Sequence, residues 1–275
     1  LDKWCTERLG RGNGEAFATA VLAFLQQHLS AARPKEQAQK PGDSPGEAPL
    51  PTVALSLEAA VVFLKALGVG GGTPSPAAEA LAKANPGLRT SAQHLAEAAK
   101  KMHPQLAQMI HSEDIEGMAD SYFHRIYKSE QSISQVIDML KGFKTSGDLR
   151  EQEIFACMIH NLFDEYRFFH NYPETELRIT GTLFGALVQH QLVSSITLGI
   201  ALRYVLEALR RAPDPGAGGK MFRFGMFALE QFKDRLGEWP QYCSHIVQIP
   251  HLVANHASLV ADIERTMQRQ GAAAA

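Results

Sequence analysis

The sequence predicts an all-α fold, a solenoid of antiparallel helix pairs. Three observations carry that prediction. Apolar residues recur at three- and four-residue spacing along most of the chain, the period of one buried helix face. The breaks between these stretches hold helix-starting and helix-stopping residues, namely Ser and Asp caps, Pro and Gly. No stretch alternates apolar and polar residues as a half-buried strand does. With 275 residues, 45% of them hydrophobic, the chain can bury one large or two small helical cores.

In chain order, Leu1, Trp4, Cys5 and Leu9 form a short helical stripe that ends at the glycines of residues 10–14. A second helix follows with Phe17, Val21, Phe24, Leu25 and Leu29 on one face. Such a pair cannot bury both faces alone, so it is expected to pack on a neighbour outside this chain. Leu1 also opens in mid-pattern without an initiator methionine, so the chain is expected to be a piece of something larger. Residues 32–51 then turn rich in Pro and Gly, the composition of a linker. Residues 53–67 are apolar and alanine-rich, stopped by Gly68 and the run Gly70, Gly71 and Gly72. A glycine run could cradle phosphate, but no G-K-[ST] follows and Pro74 and Pro76 do, so linker is the favoured reading. Ser75-Pro76 starts a small helix, Asn85-Pro86-Gly87 ends it, and residues 90–102 are weakly amphipathic. The organisation expected is a helix pair over 1–31, a flexible linker with short helices over 32–111, a helical domain over 112–268 and a disordered tail over 269–275.

Ser112 is expected to cap a helix carrying Ile115, Met118, Ala119, Tyr122, Phe123 and Ile126. Ser132 and Gln135 form a capping box ahead of Val136, Ile137, Leu140 and Phe143. The stretch from Asp148 to Leu209 then reads as three amphipathic helices with little between them. The first opens with a D-x-x-E box at Asp148 and Glu151, carries Phe155, Met158, Ile159, Leu162, Phe163 and Tyr166, and ends at Asn171-Tyr172-Pro173, because a residue before proline leaves helical geometry. The second buries Leu177, Ile179, Thr180, Leu183, Phe184, Leu187 and Val188, and the third Ile196, Leu198, Leu202, Val205, Leu206 and Leu209. Further helices are expected over 221–236, 242–249 and 251–267, separated by the Pro/Gly loop of 212–219, Trp239-Pro240 and Pro250. A loose spacing of about 40–47 residues per helix pair matches the repeat length of HEAT-type solenoids.

Chemistry is hard to find in these residues. The eleven histidines include no H-E-x-x-H, and no Cys/His quartet has zinc spacing. No G-x-S-x-G elbow is present, and Ser194-Ser195 sits where a helix N-cap belongs. Asp164 and Glu165 are adjacent on a helix and cannot face each other as an acid–base pair. The three cysteines, Cys5, Cys157 and Cys243, are far apart and read as buried thiols. No apolar run reaches the length of a membrane span, and no signal-peptide pattern is visible. A formal net charge of −2 argues against a strong nucleic-acid footprint. Arg203, Arg210, Arg211, Lys220, Arg223, Lys233 and Arg235 could meet phosphate or an acidic peptide, although such residues more often hold helix C-termini and carboxylates. The unusual feature is aromatic. Tyr122, Phe123, Tyr127, Phe163, Tyr166, Phe168, Phe169 and Tyr172 are dense for a chain that is only 8% aromatic. Most belong to core stripes, but Tyr127 and Tyr172 sit at helix ends, where a ring is partly exposed and can anchor a peptide.

Four blocks, SYFHRIY (Ser121 to Tyr127), REQEIFACMIHNLFDEYRFFHNYP (Arg150 to Pro173), LGIALRYVLEALR (Leu198 to Arg210) and PQYCSHI (Pro240 to Ile246), carry a family resemblance. Residues 112–267 resemble the tristetraprolin-binding domain of the large scaffold subunit of the CCR–NOT mRNA deadenylase complex, a MIF4G-like helical domain. LDKWCTERL and the helix after it resemble the end of that family's N-terminal helical arm. The short connection Lys128 to Gln131 lacks the proline-rich insertion of animal members, and the linker of 32–111 is shorter than theirs. The resemblance implies a scaffold rather than an enzyme, without cofactor, metal or membrane contact. Its implied partners are tristetraprolin-like peptides of adaptor proteins bound to mRNA 3′ untranslated regions, with other CCR–NOT subunits joined through adjacent regions. Direct RNA binding is expected to be weak or absent. The implied role is to promote poly(A) shortening, mRNA decay and translational repression in the cytoplasm, including P-bodies, with the nucleus as a further location. Carried over residue by residue, the peptide-binding positions are Phe123, Tyr127 and Tyr172. An RNA-binding helical-repeat module, or a generic MIF4G-like translation scaffold, is the alternative.

Overall fold

The computed structural model describes residues 1–29 and 55–273, so the proline-rich stretch of 32–51 and the end of the expected tail lie outside it. Among the described residues every regular element is a helix. The chain divides into two compact units, Leu1–Met118 and Ala119–Ala275.

In the first unit, α1 (Asp2–Leu9), α2 (Gly14–Leu29), α3 (Leu57–Ala66), α4 (Pro76–Ala84) and α5 (Pro86–Met102) share one apolar core with the start of α6 (Pro104–Tyr127). Leu25, Leu64 and Leu106 are each fully buried there, beside the alanines Ala60, Ala92, Ala96 and Ala99. Three of these helices carry capping side chains. Ser56, Ser75 and Asn85 accept from Ala59, Ala78 and Leu88 N–H groups, the last two with proline in the first turn. This differs from the linker expected over 32–111, because its described part from 57 onward forms helices buried against α1 and α2. The reason is alanine. A face of small residues gives a weak apolar period, yet lets helices approach closely enough to bury it. Nor is the glycine run a linker. Gly71 has φ +87°, and a Cβ there would fall onto the Ile110 carbonyl of α6, so only glycine fits this turn. Ser112 caps nothing, since α6 begins eight residues earlier with proline at its start.

In the second unit the end of α6 is followed by α7 (Ile133–Thr145) and α8 (Leu149–Asp164), then a 3-10 segment (Glu165–Asn171). Next come α9 (Glu174–Gln189), α10 (Ser195–Leu209) and α11 (Ala217–Phe232), and a second 3-10 segment (Lys233–Glu238). The chain closes with α12 (Pro240–Val247), α13 (Pro250–Asn255) and α14 (Ala257–Ala273). The Ser132/Gln135 capping box is formed in both directions, and Asp148 caps α8 by accepting from Arg150 N–H at 2.9 Å. Phe169, Phe184, Phe224 and Phe232 are fully buried, with Phe169–Phe224 and Phe184–Phe224 ring centroids 5.0 and 5.4 Å apart. The helix expected to run to Asn171 instead tightens after Asp164 into a 3-10 segment, and the helix expected over 251–267 divides at His256. Ile196, expected on a buried face, is 79% exposed at the first turn of α10. Helix C-termini are held by cations. Lys144 Nζ donates to the Gln191 and Leu192 carbonyls at 2.9 and 3.1 Å, and Arg235, 13% exposed at its side chain, donates to the Val188 carbonyl. The all-α solenoid of antiparallel helix pairs is therefore the fold class of this chain.

Candidate functional site

Phe123 and Tyr127 lie four residues apart on α6 and so share a face. Their rings stack with centroids 6.3 Å apart and planes at 21°. Tyr172 arrives from the other side. Its N–H donates to the Phe169 carbonyl at 3.0 Å and closes the 3-10 segment, while its own backbone is extended, as a residue before proline must be. That turn sets its ring edge-on to Tyr127, with centroids 6.2 Å apart and planes at 83°. Lys220 of α11 donates to the Tyr172 carbonyl at 2.7 Å and fixes the turn from behind.

The three residues thus line one open cleft of about 360 Å³ between the end of α6 and the junction of α8 with the 3-10 segment. All three are half-buried, so none is plain core. Leu162 and Phe168 extend the apolar lining. Phe168 is 44% exposed, while its neighbour Phe169 is wholly buried, so the pair splits between cleft and core. The rim is acidic. Asp120, Asp164 and Glu165 face one cation, Arg167, whose guanidinium lies 4.9 Å from the Phe168 ring centroid.

Both tyrosine hydroxyls are tethered. Thr180 Oγ1 donates to the Glu176 carbonyl at 2.7 Å, which uses its single proton, so Tyr127, 3.1 Å away, donates to Thr180. Tyr172 donates to Glu165 Oε2 at 3.2 Å. Burial pushes the Tyr127 phenol above its ordinary pKa. It pushes Tyr172 up further, helped by the Glu165 carboxylate and by the repulsion an ionised Tyr127 would add. Both rings therefore stay neutral hydrogen-bond donors.

Such a surface can hold an apolar side chain between flat rings. Among the described residues no three His, Cys, Asp or Glu side chains are grouped to hold a metal, and no helix is long and apolar enough to cross a membrane. Five of the basic residues named above are engaged within the chain. Arg223 pairs with Glu174 at 2.9 Å, Lys233 with Glu230 at 2.6 Å and Arg203 with Glu207 at 3.6 Å, while Lys220 and Arg235 serve backbone carbonyls. Asp120 and Asn161 are not anticipated by the sequence reading, and Thr180 is expected there on a buried stripe without a role at the site. The first two are ordinary polar positions on helix faces, but a Thr within an apolar stripe was a signal for the third.

The model of the CCR4-NOT transcription complex subunit 1 TTP binding domain matches residues 82–275. General negative regulator of transcription subunit 1 of Schizosaccharomyces pombe is 46% identical over 141 residues, 51% of this chain and 6% of that protein. CCR4-NOT transcription complex subunit let-711 of Caenorhabditis elegans is 38% identical over 148 residues, 53% of this chain and 6% of that protein. This chain therefore spans only a small part of these curated relatives. The N-terminal domain of the yeast Not1 superposes with a TM-score of 0.52 over 96% of this chain and 47% of that chain, at 22% identity, which bears on the fold alone. With well over half of its length matched by one domain model, and with the same family in its relatives, the chain belongs to the CCR4-NOT subunit 1 TTP-binding-domain family.

Proposed function

We propose that this chain is a non-catalytic scaffold segment that docks short helical motifs of mRNA-bound adaptor proteins in the Phe123–Tyr127–Tyr172 cleft. The deadenylase complex is thereby brought to the message, promoting poly(A) shortening, decay and translational repression, in the cytoplasm and the nucleus. The observation that supports it most is the convergence of three half-buried rings on one open cleft, with both tyrosine hydroxyls tied back. An amphipathic helix places anchors at i and i+4 on one face, the pattern a short aromatic groove accepts. Rigid aromatic rings lose little conformational entropy on docking, which suits them as anchors.

Tyr127→Ala or Tyr172→Ala is expected to weaken a fluorescein-labelled tristetraprolin-derived peptide by about 5- to 100-fold, or ~1–3 kcal/mol. Fluorescence anisotropy measures this, with circular dichroism confirming the fold. Wild-type affinity in both folded variants would place the groove elsewhere. Phe123→Ala is a poorer probe because its loss of packing also lowers stability.

A further inference from the structure

We propose that Thr180 is a positioning residue of the cleft, its buried hydroxyl holding the Tyr127 ring from behind in the orientation that receives a peptide. The inference rests on the docking reading above and names what fixes the shape of that site.

Thr180 is wholly buried, a hydroxyl among apolar side chains. It sits on α9 between Leu177 and Phe184, both at 0% exposure. Valine would fill the same shape there without a hydroxyl to satisfy, and alanine or leucine would be a better helix former. A hydroxyl at such a place needs a partner, and bonding back to the carbonyl four residues earlier does not explain its presence, because that bond weakly opposes the helix. What the hydroxyl adds is an acceptor. Its proton goes to the Glu176 carbonyl at 2.7 Å, so the lone pairs that remain take the Tyr127 O–H at 3.1 Å.

Tyr127 needs that acceptor. It is the last residue of α6, and the chain leaves the helix directly after it through Ser129 at φ +56°, with Glu130 N–H on the Arg125 carbonyl at 3.1 Å. The preceding turn limits the first torsion of Tyr127, as in any helix, but does not fix where the hydroxyl ends. The helix holds its Cα and Thr180 holds its far end, and two fixed points define the plane of a side chain with two torsions. Burial keeps the phenol protonated, so the tether persists through neutral pH. Tyr172 is held differently, by the exposed carboxylate of Glu165 and by Lys220 on its carbonyl, and it leans edge-on against Tyr127. Releasing Tyr127 therefore disturbs both rings, although Thr180 itself does not line the cleft.

The test compares wild type, Thr180→Val, Thr180→Ser and Tyr127→Phe in two measurements. The first is the ring signal of Tyr127 in protein carrying 13C-labelled tyrosine, with no peptide present. The second is affinity for the fluorescein-labelled tristetraprolin-derived peptide. Thr180→Val is expected to move the Tyr127 ring signal or speed its flipping, and to weaken the peptide by about 5- to 10-fold. Thr180→Ser, which keeps the acceptor, restores both. Tyr127→Phe weakens the peptide at least as much, because it also removes the contact of that hydroxyl with Tyr172, and adding Thr180→Val to it costs nothing more, since the Tyr127–Thr180 bond is already gone. An unmoved Tyr127 signal in Thr180→Val, or wild-type peptide affinity in that variant, overturns the proposal. If wild type itself binds no such peptide, the docking reading fails, and the ring signal alone decides whether Thr180 positions Tyr127. If Thr180→Val does not fold, Tyr127→Phe and Thr180→Ser decide it, and undiminished binding by Tyr127→Phe overturns it.

Discussion

At the scale of single residues, buried tyrosines show how one side-chain type takes different roles by position. Tyr127 and Tyr172 present rings to a cleft, whereas Tyr242 on α12 is buried and its hydroxyl has no hydrogen-bond partner among the described residues. Desolvation pushes the Tyr242 phenol far above its ordinary value, and it also raises Tyr127, Tyr166 and Tyr172. A folded-state pKa above the unfolded value favours the protonated form in the fold. The associated stability is thus fully present below pH ~10 and lost as pH rises beyond it. Chemical denaturation is expected to give a falling unfolding free energy above pH ~10, with a shallower fall in Tyr242→Phe. At pH 7 that variant is expected to be unchanged or up to ~1 kcal/mol more stable, because an unpaired buried hydroxyl is removed. A loss of more than ~1 kcal/mol at pH 7 would show that the hydroxyl has a stabilising partner.

At the scale of elements, α9 and α11 are held together by a missing side chain. Gly185 of α9 lies against the Ala228 backbone of α11, and a Cβ at 185 would overlap that carbonyl. Helix propensity alone would favour alanine there by ~1 kcal/mol. Overpacking a close helix crossing costs ~1–3 kcal/mol or more, so packing wins. Gly185→Ala is expected to lower the unfolding free energy by a net of up to ~2 kcal/mol, and an increase would show that the helices can separate without loss. The same crossing matters for the cleft, because α9 carries Thr180 and α11 carries Lys220, the two residues that reach Tyr127 and the Tyr172 turn. The helices themselves were legible in the periodicity of their large apolar residues. Their ends were less so. The 3-10 segment after Asp164 was not visible in the sequence, because the same apolar spacing serves an α-helix and a tighter turn until the packing of Phe169 chooses between them.

At the scale of the whole molecule, the proposed scaffold role carries an expectation about activity. Poly(A) shortening of the metal-dependent kind needs paired ions held by clustered carboxylates. On the scaffold reading, highly purified chain is expected to leave a labelled poly(A) substrate intact in Mg²⁺. Shortening that is lost on mutating one of its own carboxylates would overturn that expectation. Arg203, Arg223 and Lys233 stand in ion pairs, and Lys220 and Arg235 serve backbone carbonyls, so these five cations are engaged within the chain.

The sequence by itself determined the all-α class, most helix positions, the family, and the three aromatic candidates at Phe123, Tyr127 and Tyr172. These follow from local period, from capping and proline residues, and from contiguous motif blocks, all of which are written along the chain. Only tertiary structure decided that α3 to α5 pack with α1 and α2, because alanine faces carry little apolar signal until a neighbour closes on them. It also decided that Gly71 is a packed turn, since the contact that excludes a side chain comes from α6, some forty residues away in sequence. The placing of Thr180 behind Tyr127 belongs with these. A hydrogen bond across fifty-three residues is set by which faces α6 and α9 turn toward each other, and no local pattern encodes that orientation.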